Sequence, residues 1–204
     1  MAYPTVSKTY GLKPINRLDG LPYAGAIRQI PIAAGYATAI LNGDTVKVDT
    51  NGYLVANTTS NSGDSVGVLV GCSYINSSGQ FTNGQYYPAS QSTSTALAFG
   101  FVVDDPNALF RVVATSGQTT TPTAFSRALV GSNVALSINT GSTNTGDSYY
   151  GIDGASAGTT ATLPIRVIDV VPDTATGAAN VAATTYYEFL VKFNLHQYTD
   201  TTGI

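Results

Sequence analysis

The stretch Gly43-Asp44-Thr45-Val46-Lys47-Val48-Asp49-Thr50-Asn51-Gly52-Tyr53-Leu54-Val55 decides the fold class. Val46 and Val48 alternate with Thr45, Lys47 and Asp49, the two-residue period of a half-buried strand. Asn51-Gly52 is a pair that tolerates positive φ, so it predicts a tight two-residue hairpin turn. Tyr53 to Val55 starts the return strand. The same punctuation recurs at Asn42-Gly43, Asn83-Gly84 and Asp153-Gly154. A chain punctuated in this way builds sheets from short strands.

Other segments read the same way. Ser65 to Ser73 is a nearly continuous apolar run, as expected of a strand covered on both faces. Leu97–Val103, Leu109–Ala114, Asn133–Ile138, Thr162–Val171 and Tyr186–Leu195 are further strands. Helical signal is confined to Pro122–Val130 and the Ala-rich 177–183, each good for a turn or two. The fold expected is all-β: a β-sandwich or β-barrel body with little helix. Along the chain this divides into an extended N-terminal arm (1–29), a first β-domain (30–114), a linker or crossing loop (115–126) and a second β-region with a polar tail (127–204).

Pro4, Pro14 and Pro22 break helix along the arm, and its apolar residues have no period. Lys8, Lys13, Arg17 and Arg28 are four of the nine basic residues in the chain. A cationic extended segment on an acidic protein reads as a docking strap, or as an edge strand wrapped over the chain's own core.

Composition narrows the function. Of the 204 residues only 10% are charged, against about 25% in ordinary soluble domains. Gly, Ser, Thr and Asn stand in their place. The net charge of −3 and the scattered basic residues offer no stripe for phosphates, so nucleic acid is not an expected partner. No run reaches the ~18 apolar residues of a membrane helix, and no signal peptide is visible. The single cysteine, Cys72, reads as a buried thiol.

Side-chain chemistry is sparse. His196 is the only histidine, and no Gly-x-Ser-x-Gly elbow accompanies it, which argues against a serine triad. One His and one Cys, far apart, do not make a zinc site. Glu188 is the only glutamate, and a glycosidase would need it and an aspartate to line a cleft. Asp104-Asp105-Pro106 and Asp147 are loop carboxylates without EF-hand spacing. No cofactor and no catalytic residue is expected. The thirteen tyrosines include the pairs Tyr86-Tyr87, Tyr149-Tyr150 and Tyr186-Tyr187, whose rings face opposite ways in a strand and suit interfaces or sugar stacking.

Tyr10-Gly11-Leu12-Lys13-Pro14, Gly35-Tyr36-Ala37 through Ile40-x-x-Gly43-Asp44-x-Val46-Lys47, Gly67-Val68-Leu69-x-Gly71, and Val191-Lys192-Phe193-Asn194-Leu195-His196-Gln197 together resemble the capsid decoration (cement) proteins of tailed bacteriophages. The resemblance covers most of the chain and rests on the order and spacing of its motifs. It implies a β-tulip-like or small-barrel body, no enzymatic activity, and a place on the outer capsid surface of a virion after synthesis in the host cytoplasm. It further implies binding to a major capsid protein at capsomer junctions as a homo-oligomer, a trimer before a dimer. By position and residue type, Tyr3, Lys8, Tyr10, Lys13 and Arg17 in the arm, with His196 and Tyr198 in the tail, are the expected contact residues. The alternative is a head-fibre or host-recognition module that binds cell-surface glycans through Tyr-rich loops.

Overall fold

The computed structural model describes residues 6–91, 98–171, 188–200 and 203, and these are nearly all β. Twelve strands form two sheets: β1 (Lys13–Arg17), β2 (Ile27–Ile32), β3 (Thr45–Val48), β4 (Leu54–Ala56), β5 (Gly67–Ile75), β6 (Phe81–Gly84), β7 (Ala98–Val103), β8 (Ala108–Thr115), β9 (Asn133–Ser137), β10 (Gly151–Gly158), β11 (Ile165–Val170) and β12 (Glu188–Phe193). One sheet closes on itself as a five-strand barrel, β8-β10-β9-β11-β12, because β12 pairs back onto β8. Closure removes the free edges that an open sheet would expose. β1 adds to β8 beside the barrel. The second sheet runs β2-β7-β5-β3-β4, with β6 on β5.

Strands β5 and β7 form the shared wall. Val68 and Val103 pack into the barrel core with Phe110, Phe189, Leu136 and Ile152. Their neighbours Leu69 and Val102 face the other way, into a core built on Ile32, Ile40, Leu54 and Tyr87. The apolar run of β5 is therefore buried on both faces, as its sequence predicts. β8, read as the last strand of a first domain, opens the barrel instead, so sheet membership changes at residues 104–107.

The described part of the N-terminal segment lies on the chain's own body. Thr9 and Leu12 are fully buried, the Gly11 amide donates to the Tyr150 carbonyl at 3.0 Å, and β1 pairs antiparallel with β8. Of the two readings of residues 1–29, this is the edge strand over the chain's own core. β1 and β2 each ladder with one neighbour only, β8 and β7, so the segment is held to the body along one side of each strand.

The turns differ from expectation in detail. Between β3 and β4, the Asp49 carbonyl accepts the Gly52 amide at 3.0 Å, and Asp49 Oδ1 accepts the amides of Asn51 and Tyr53, each at 2.9 Å. Only Gly52 has positive φ, at +82°. The connection is thus a four-residue turn fixed by an aspartate, not a two-residue turn over Asn51-Gly52. Asn83-Gly84 and Asp153-Gly154 lie inside β6 and β10. At Gly154 the ring of Phe125 would touch an added Cβ at 2.7 Å, so this glycine serves close packing rather than a turn. The helical signal after Pro122 yields one 3-10 turn, Arg127–Leu129, capped by the Ser126 hydroxyl, which accepts the Ala128 amide at 3.3 Å. The segment 177–183 lies outside the described residues.

Candidate interaction surface

Most of the expected contact residues have partners within the chain. The Tyr10 hydroxyl donates to Glu188 Oε1 at 2.8 Å, and Arg111 reaches the same carboxylate at 3.4 Å while lying 5.9 Å from the Tyr10 ring centre. Burial, with the Glu188 charge second, pushes the Tyr10 hydroxyl far above its ordinary pKa. Glu188, the carboxylate that a glycosidase reading would need, is thus held between Tyr10 and Arg111. Lys13 donates to Asn42 Oδ1 at 2.7 Å and stands 3.7 Å from Asp147. Desolvation lowers its pKa, with Asp147 opposing. Arg17 pairs with Asp105 at 2.8 Å and with Asp19 at 3.2 Å.

His196 is only 2% exposed. Its Nδ1 accepts the Tyr198 amide at 3.2 Å, which puts the proton of the neutral ring on Nε2. Burial pushes its pKa down to about 4, against the backbone of Val66 and Asp104 and the Asp105 charge. A neutral interior ring of this kind supports the chain end; it does not present a contact. Tyr198 is exposed and stacks under Arg28, whose guanidinium carbon is 4.8 Å from its ring centre. Lys8 is exposed too, 5.3 Å from the centre of Tyr149. Tyr3 lies outside the described residues.

The structure brings forward four residues that the sequence reading passed over. Ile15, Leu18, Leu21 and Ile27 are 42%, 50%, 53% and 44% exposed, along a single stretch of chain. The stretch is fastened to the turn between β7 and β8. The Leu18 amide donates to the Asn107 carbonyl at 2.8 Å and the Asp104 amide to the Ala26 carbonyl at 3.2 Å. The Arg17–Asp105 and Arg28–Asp104 pairs, at 2.8 and 2.7 Å, hold both ends. Single exposed apolar side chains are ordinary; four on one anchored segment make it a candidate contact surface. The available signal was the lack of period over residues 15–27, since apolar residues that fit no strand or helix stripe have no assigned interior.

The chain matches no protein-family model, no curated protein and no solved structure.

Proposed function

We propose that this chain is a structural protein that binds the outer surface of a bacteriophage head and stabilises the junctions between capsomers. The reading rests on the motif resemblance. Its main structural support is the exposed apolar strip Ile15, Leu18, Leu21 and Ile27, fixed by ion pairs to a rigid body. A clamp on a shell under internal pressure needs stiff β-structure and low surface charge, and it gains from many modest contacts acting at once. With 10% charged residues, the surface imposes little desolvation cost on such a contact. The arm contributes through these apolar side chains rather than through Tyr10, Lys13 and Arg17, which hold it to the body. The partner is the major capsid protein, and the protein acts as a homo-oligomer.

Co-sedimentation of the purified protein with undecorated heads tests this. The wild type is expected to pellet with heads. The Leu18→Ser/Leu21→Ser variant is expected to bind at least about tenfold more weakly while keeping its fold, since each side chain removes apolar area from water only in the complex. Equal binding of the variant, or no binding of the wild type, overturns the reading.

A further inference from the structure

Arg166 on β11 and Lys192 on β12 are directly opposite each other in the antiparallel register. Both are half-buried and alternate with the inward-facing Ile165, Val167, Val191 and Phe193, which puts both on the outer wall of the barrel. Like charges in that position repel, and a sheet tolerates them at a cost in stability unless an anion lies between them. Five other cations, Lys13, Arg17, Arg28, Arg111 and Arg127, each have a carboxylate within 4.0 Å. Among the described residues Arg166 and Lys192 do not, nor do Lys8 and Lys47, but only Arg166 and Lys192 face each other across a strand pair. Arg166 uses its Nε to donate to Asn133 Oδ1, which orients the guanidinium and leaves its terminal nitrogens for another acceptor.

The pair lines a groove of about 600 Å³. Its other walls include Leu18 and Ile168, which are apolar, and Asn107 and Thr199, which are polar. Asp105, next in sequence to the lining residue Pro106, is paired with Arg17 at 2.8 Å. On a protein of net charge −3 this is a local positive site with apolar flanks. A free phosphate would use the charges and leave Leu18 and Ile168 in water. A peptide carrying carboxylates beside an apolar side chain uses both, and planar carboxylates suit a guanidinium fork.

We propose that the β11–β12 groove binds an acidic, partly apolar peptide segment of a protein partner, with its carboxylate between Arg166 and Lys192. This inference stands on the lining of the groove itself and does not depend on the identity of the particle proposed above.

The test is an NMR titration of the ¹⁵N-labelled full chain with a capped hexapeptide of alternating aspartate and leucine. Saturable shifts are expected at Arg166, Lys192 and Asn107. The Arg166→Gln/Lys192→Gln variant is expected to bind about tenfold more weakly. The same peptide with asparagine for aspartate is expected to leave these resonances unmoved, and inorganic phosphate and glucuronate to bind more weakly than the acidic peptide. No shift at the groove, equal binding of the asparagine peptide, or phosphate or glucuronate binding as tightly as the peptide would each overturn the proposal. A second reading is independent of any ligand. Lys192→Glu converts the repulsive pair into an attractive one and is expected to raise the thermal midpoint, whereas a lowered midpoint contradicts an unneutralised pair.

Discussion

Gly11 and Gly43 lie back to back where the N-terminal segment crosses the second sheet: a Cβ on Gly11 would sit 2.9 Å from Gly43 Cα, and one on Gly43 would sit 3.1 Å from Gly11 Cα. Both have positive φ, +81° and +96°. The Leu12 amide donates to the Gly43 carbonyl at 2.9 Å and the Gly43 amide to the Leu69 carbonyl at 2.9 Å, so three segments meet at this contact. Replacing Gly11 by alanine adds a strained backbone and a clash with main chain. The expected loss is about 2–4 kcal/mol in urea unfolding. A loss below about 1 kcal/mol would mean that the crossing can part without cost.

The Tyr10 hydroxyl and the Glu188 carboxylate join the start of the chain to its last described strand at 2.8 Å. Tyr10→Phe removes the donor and keeps the ring. A bond to a charged acceptor is worth about 1.5–3 kcal/mol, and a loss of that size is expected here by chemical denaturation. An unchanged midpoint would show that the carboxylate is satisfied without Tyr10.

These two contacts show where sequence reading stopped. Strand positions were legible because alternation and apolar runs are local, and β5 announced its two covered faces through Val66 to Val70. The hairpin after β3 was legible, but its turn type depended on the Asp49 side chain, whose bonds cross the turn. Gly11 and Gly43 were singled out as motif residues, yet their meeting is a tertiary fact that no local pattern encodes. Tyr10, Lys13 and Arg17 looked like surface contacts because residue type shows charge and not its partner; Glu188, Asn42 and Asp105 are all distant in sequence. The apolar strip was missed because it has no period to read.

Asp44 and His196 pull the pH dependence of stability in opposite directions. Burial raises the Asp44 carboxyl to about 6 from 3.8, against hydrogen bonds from Ser148 and Leu41 and the charge of Lys13. The folded state then holds more protons than the unfolded state between these values, so stability from Asp44 is complete below about 4 and is lost as pH rises through about 6. His196 is the reverse: lowered to about 4 from 6.5, it remains neutral when folded, and stability is lost as pH falls from 6.5. Each effect amounts to up to about 3 kcal/mol, so they nearly cancel. The wild type is expected to show almost flat urea midpoints between pH 4 and 6.5. Asp44→Asn is expected to lose stability toward acid, and His196→Gln toward neutrality. Parallel profiles for all three proteins would contradict this pairing.

Cys72 is fully buried on β5, and burial pushes its thiol up to about 12. In the native protein a disulfide reagent at mildly alkaline pH is expected to react at least about a hundredfold more slowly than with an unstructured thiol, since thiolate is the reacting form. Unfolding in urea should release one equivalent. Rapid reaction of the native protein would show that the wall shared by the two sheets opens readily.

The most direct test of the proposed capsid role is a cryo-EM map of undecorated bacteriophage heads incubated with the purified chain. The account predicts the five-strand barrel and its partner sheet on the outside of the shell, with Leu18, Leu21 and Ile27 against the major capsid protein. A head that lacks this chain, or one that carries it with residues 15–27 facing solvent, would contradict it.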